Sequence, residues 1–428
     1  MGKSPKENDK DFNRTILKWT LLGLLIRFLI MPFTMHTFDL FFIYYFPFQL
    51  IDKGVWDIYR FIPEQFPGFH LTYYGPVAYF LIGFFLFFLK FFLPQLGNAF
   101  ELFEGWLFTS GGGTVHYASF LGESQLFRTL FLFKVPYLIF DFATAFFLVK
   151  LAHNQKEGLF CYRLWMLNPL FLHSVYAIGQ LEAVPIFLTV AALYWANLGR
   201  ADVAVVCLIL GGLVKVYPFF LVPIVVFLSS RDVKERMRLF GVALVSLLLI
   251  LLPFYFSSGA AVMDCIMAKA AVSQVVGGTF RRAFFILAYF FLLLYAHRMA
   301  AKRENAPILN QLFLLVFLFY ALLGLLKFRY LTWLSPFLIL AISRDRRLGW
   351  FCLVLLALMA EVHLSGNQVQ WGLLDPVYPT FFASLPISDS FLASGGFPLG
   401  VIQQISYRLS LMILVAMIYR VWKWQRIS

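Results

Sequence analysis

The sequence predicts an all-α, polytopic membrane protein of about 12–13 transmembrane helices, with short interfacial helices in its first outer loop. Three observations carry this. Of 428 residues, 61% are apolar and 13% charged, whereas soluble domains carry about 25% charge. Mean hydropathy is +0.79. Apolar runs of about 18–22 residues recur along the whole chain, and no polar stretch is long enough for a separate soluble domain. A basic tail, 1–14, therefore precedes one multispanning domain, 15–428. Its first outer loop is 36–75, and a further outer loop is 364–400.

The expected crossings are 15–35, 128–151, 161–179, 181–198, 201–215, 217–230, 237–256, 281–297, 306–326, 330–343, 348–363 and 401–422. The basic tail and the clusters at Lys150/Lys156/Arg163, Arg231–Arg238, Arg298–Arg303, Arg344–Arg347 and Arg420–Arg426 all fall on one side, which the positive-inside rule makes cytoplasmic. This also accounts for the net charge of +13 without nucleic acid. A further apolar run at 76–96 would break the parity of the termini, so it either dips in and returns or pairs with a weak crossing in 97–127. The first run ends in Met31-Pro32-Phe33-Thr34 rather than a small-residue cleavage site, which reads as an anchor. Cys161, Cys207, Cys265 and Cys352 show no metal-ligand spacing and read as small hydrophobes.

This topology leaves an unusual set of polar residues on the outer side. Asp39 lies between the first crossing and the aromatic run Phe41–Phe46. Partial desolvation there suits a general base, and the same position suits an N-cap of a helix starting at Leu40. His36 is three residues away, where it reaches Asp39 or stands as an interfacial histidine. The turns around Asp52-Lys53-Gly54, Pro63 and Pro67 suit short interfacial helices, and Tyr74-Gly75-Pro76 turns the chain. Asn168-Pro169 inside a crossing breaks the helix ladder. Glu182, in Gly179-Gln180-Leu181-Glu182, is a helix cap or a cavity residue. Lys215, in Gly211-Gly212-Leu213-Val214-Lys215-Val216-Tyr217-Pro218, is fixed at the outer boundary, where it snorkels or holds a phosphate. Lys327-Phe328-Arg329-Tyr330 repeats a basic boundary on that side. Within the apolar runs, Arg27 and Asp141 read as internally paired, and Lys134 stands two helical turns before Asp141.

No Walker A loop, Gly-x-Gly-x-x-Gly, His-Glu-x-x-His or Cys-x-x-Cys occurs. A transporter or flippase of a lipid-linked anion would line both faces with polar residues, but here the odd charges gather on one. A non-catalytic lipid-binding scaffold is the third reading.

In order along the chain, Thr37-Phe38-Asp39, Tyr74-Gly75-Pro76, Asp141-Phe142-Ala143-Thr144-Ala145-Phe146, Trp165–Leu170, Gly179-Gln180-Leu181-Glu182, Lys215-Val216-Tyr217-Pro218 and Lys327–Tyr330 with Trp333-Leu334-Ser335-Pro336 form a series. Over roughly 20–345 it resembles the multispanning GT-C class glycosyltransferases. It is most similar to the family of the glycosylphosphatidylinositol mannosyltransferase I catalytic subunit and its prokaryotic relatives. Two positions depart from that family: Thr37 replaces the first acid of Asp-x-Asp, and Glu182 stands where aspartate is frequent. The resemblance implies a GT-C-like fold and an inverting hexosyl transfer, with mannose as the sugar. The donor would be a polyprenyl-phosphate sugar and the acceptor a lipid-linked or other glycan. Asp39 would be the catalytic base, and Lys215, Arg329 and Lys327 would hold the donor phosphate. His36, Tyr74, Gln180, Glu182 and Tyr217 would line the substrate site. Membrane lipids are the surroundings, no cofactor or metal is called for, and the expected location is a prokaryotic plasma membrane with the site facing out.

Overall fold

The computed structural model describes residues 5–36, 39–65, 74–108, 119–259, 261–262, 279–300, 306–323, 330–363, 370–386, 390 and 399–423. The fold is all-helical, 85% helix, with no strand among the described residues. The principal helices are α1 (Pro5–Ile30), α2 (Asp39–Lys53), α3 (Ile58–Gln65), α4 (Pro76–Leu89), α5 (Leu96–Phe108), α6 (Leu126–Leu151), α7 (Gln155–Met166) and α8 (Ala183–Asn197). They continue as α9 (Ala201–Gly212), α10 (Val222–Ser229), α11 (Val233–Ser258), α12 (Thr279–Met299), α13 (Ala306–Leu323), α14 (Leu331–Arg344), α15 (Arg347–His363) and α16 (Leu399–Lys423).

Among the described residues, four helices are long and apolar enough to cross a bilayer: α6, α11, α12 and α16. A fifth candidate is the pair α4 and α5, which bends by 118° at its break. The chain thus bends sharply near 93–95 instead of running straight on, a geometry that a broken span and a re-entrant loop share. Several other expected crossings form shorter apolar helices, among them α8, α9, α13 and α14. Backbone punctuation divides other apolar runs. Asn168 accepts from the Leu170 and Phe171 amides at 3.1 and 3.4 Å and restarts the chain at Pro169. A π-helical stretch, Leu172–Ala177, then replaces a regular helix end. Pro218 follows α9 and opens a 3₁₀ turn, Tyr217–Leu221.

In the segment 39–65, Leu40 through Phe46 of α2 are all at most 2% exposed, so this helix is enclosed by protein. A helix apolar on every side has no water-facing stripe to present. Phe41 packs against Phe100, Phe103, Phe120 and Phe133, and the Tyr44 ring stacks on Phe133 at 3.9 Å. The core beneath this segment is pinned by buried charge. Arg27 of α1 donates to Asp141 of α6 at 2.6 Å, and both side chains are wholly enclosed. Trp165 and Tyr176 each donate to the same carboxylate at 2.7 Å. Lys134 donates to the Met31 carbonyl at 3.0 Å, and to the Thr34 carbonyl, in the segment just after α1. All three charged residues flagged inside the apolar runs therefore link α1 to α6.

Candidate functional site

Two loops with tightly constrained backbones bring these polar residues together. The segment after α1 is held by hydrogen bonds from the Met35 amide to the Leu373 carbonyl (3.0 Å) and from the His36 amide to the Ile178 carbonyl (3.1 Å). Gly179, with φ +91°, lets the 178–182 turn lie against Leu40; a Cβ there would stand 2.8 Å from the Leu40 Cβ. The neighbour of Leu40 is Asp39, so Gln180 meets it directly. Gln180 Nε2 donates to Asp39 Oδ2 at 2.9 Å, and His36 Nδ1 lies 3.7 Å from the same oxygen. Asp39 is the first residue of α2, one position earlier than the expected start at Leu40. Its side chain is 22% exposed, so the carboxylate remains reachable.

Gly75 performs the matching task on the other side. It approaches so closely that a Cβ would overlap the Leu213 carbonyl. This sets Tyr74 beside the turn that carries Lys215. The Tyr74 backbone is tied in place, its amide donating to Tyr79 Oη at 3.4 Å and its carbonyl accepting from the Tyr59 hydroxyl at 3.0 Å. The Lys215 ammonium lies 5.8 Å from the Tyr74 ring centroid and 5.7 Å from that of Trp333, and it donates to Glu182 Oε1. Trp333 Nε1 donates to Glu182 Oε2 at 2.7 Å. Tyr217 stacks on Trp333 at 4.3 Å with planes 16° apart.

Tyr74 joins the acidic and basic halves. Burial first, then the charges of Asp39 and Glu182, push its hydroxyl pKa well above the ordinary tyrosine value. The two halves also meet at the 179–182 turn, whose Gln180 donates to Asp39 while its Glu182 accepts from Lys215. The cluster therefore gathers His36, Asp39, Tyr74, Gln180, Glu182, Lys215 and Tyr217. Lys327 and Arg329 lie outside the described residues, as do Thr37 and Cys265. An open apolar groove between α4 and α11 runs past Val77, three residues beyond Tyr74, with Trp56, Phe80, Leu81, Pro253 and Phe254 along its walls.

Two roles look different in three dimensions. Glu182 makes no side-chain cap to α8, and its carboxylate is wholly enclosed with both oxygens occupied. It orients Lys215 and offers no free surface to a substrate. Trp333 carries a site contact that sequence reasoning passed over. An indole N–H within an apolar helix must find an acceptor, and that requirement was the available signal. Chemically, the site offers a reachable carboxylate, a fixed ammonium and aromatic walls. No family model, curated protein or solved structure matches the chain.

Proposed function

We propose that this chain is an inverting membrane glycosyltransferase that moves a sugar, mannose by resemblance, from a polyprenyl-phosphate donor to a lipid-linked or glycan acceptor. Asp39 removes the proton from an acceptor hydroxyl. The freed oxygen attacks the anomeric carbon in line, the bond from that carbon to the phosphate oxygen breaks, and the lipid phosphate departs. Lys215 lies against the phosphate and offsets the charge that grows on it. Arg329 and Lys327, from the second basic boundary, add to this. Aromatic rings around Lys215 supply a stacking surface, and the groove beside Val77 takes the isoprenoid tail. The reading places the site at the outer leaflet of a prokaryotic plasma membrane, on a GT-C-like scaffold of 12–13 crossings that includes the shorter helices.

The observation that supports it is the convergence at the 179–182 turn, where Gln180 donates to Asp39 and, two residues on, Glu182 accepts from Lys215, whose ammonium stands at the Tyr74 ring. The test is transfer from radiolabelled polyprenyl-phosphate mannose to a glycan and glycolipid panel by protein in nanodiscs. Wild-type protein is expected to form glycosidic product, and Asp39→Asn to bind donor without turnover. Normal turnover by Asp39→Asn removes the base. Movement of lipid across liposomes with no glycosidic product would replace the transferase by a flippase.

A further inference from the structure

We propose that Trp333 is a positioning residue, fixing the direction of the Lys215 ammonium through Glu182 so that recognition of a lipid phosphate depends on the relay Trp333–Glu182–Lys215. The proposal rests on the reading above that Lys215 takes the phosphate. A lysine at a membrane boundary has a flexible four-carbon stem and ordinarily turns its charge toward water. Here it is restrained from three sides. Glu182 holds one of its three N–H groups, and Tyr74 and Trp333 stand against the ammonium. Two N–H groups remain for a ligand, on a side chain that is 20% exposed.

The restraint is only as firm as Glu182. A lone Lys–Glu contact leaves the carboxylate free to rotate about its last bond. That freedom is removed because Oε2 accepts from the Trp333 indole at 2.7 Å while Oε1 accepts from Lys215. The indole is itself immobile: Tyr217 stacks on it at 4.3 Å, and Tyr330 packs at 4.6 Å. Trp333 therefore acts on the ammonium twice, as a wall and as the anchor of its counterion. If it were only a wall, any ring of that shape would serve, and the N–H would be dispensable.

Replacing Trp333 by 3-benzothienylalanine keeps the ring shape and deletes the N–H. The probe is dodecyl phosphate, its binding to full-length protein in nanodiscs followed by phosphorus NMR. Wild type is compared with the substituted chain and with the double variant Lys215→Met/Glu182→Gln, which removes the ammonium without stranding a buried charge. The benzothienyl chain is expected to bind about tenfold more weakly, the scale of one charge-assisted hydrogen bond, and its Lys215 amine to be acylated faster by an activated ester. The double variant is expected to lose phosphate-dependent binding. If the benzothienyl chain binds as wild type while the double variant does not, the relay is wrong and the role of Lys215 stands. If the double variant binds as wild type, the phosphate reading itself fails. Should the benzothienyl chain not fold, Trp333→Phe deletes the same N–H, and the same two outcomes decide.

Discussion

Arg27–Asp141 and Lys215–Glu182 are built from the same parts: a cation, a carboxylate, and a tryptophan N–H donating to that carboxylate at 2.7 Å. They differ in enclosure. Neither side chain of the first pair has any exposed surface, whereas Lys215 is 20% exposed above a fully covered Glu182. The Arg27 pair is further claimed by the Tyr176 hydroxyl and the Met166 carbonyl. The same chemistry thus serves two ends. Closed on all sides, it joins α1, α6 and the π-helical stretch. Left open at the cation, it presents a charge that a ligand can approach. Enclosure, rather than residue type, separates fastening from recognition here.

The comparison breaks most visibly in the closed pair. Arg27→Met or Asp141→Asn leaves an uncompensated buried group, and each is expected to cost about 3–5 kcal/mol, measured by SDS-titration unfolding. The open pair should respond unequally. Lys215→Met strands the covered Glu182 charge and is expected to cost about 3 kcal/mol. Glu182→Gln leaves a lysine that can reach water, and is expected to cost under about 1 kcal/mol. Equal losses from both variants would show that the two pairs are closed alike. Gly75→Ala forces a side chain against the Leu213 carbonyl and is expected to destabilise by about 1–3 kcal/mol, with dodecyl phosphate affinity falling in parallel.

The smallest effect concerns a third, more exposed pair, Arg420 and Asp345, at 31% and 15%. Burial alone would raise the Asp345 carboxyl, but hydrogen bonds from Arg420 and the Arg347 amide outweigh it and hold the pKa below the ordinary carboxylate value. A depressed folded pKa stabilises above the unfolded value of about 4. That contribution is lost as pH falls through the folded value. Asp345→Asn is therefore expected to flatten the acid side of the stability profile by under about 1 kcal/mol.

Much of the polar architecture was legible because membranes make charge expensive. Arg27 and Asp141 had to be paired, and Asp39, Glu182 and Lys215 had to be held at one side. Pairing identity was not legible, since Glu182 and Lys215 are joined only through the breaks at Gly179 and Pro218. The enclosed state of α2 was also hidden: its turn-rich continuation toward Arg60 suggested a surface helix, whereas rings distant in sequence, among them Phe100, Phe103, Phe120 and Phe133, cover it. The breaks at Asn168-Pro169 and after Gly212 were legible from proline and glycine, whereas the π-helical stretch Leu172–Ala177 leaves no mark in hydropathy.

The contact of Gly75 with the Leu213 carbonyl makes two distant loops mechanically one. Neither the tyrosine that precedes Gly75 nor the lysine that follows α9 can shift without dragging the other. A ligand tugging on either would be felt at both, and cross-linking experiments across this seam should report motion of a single block rather than two hinged flaps.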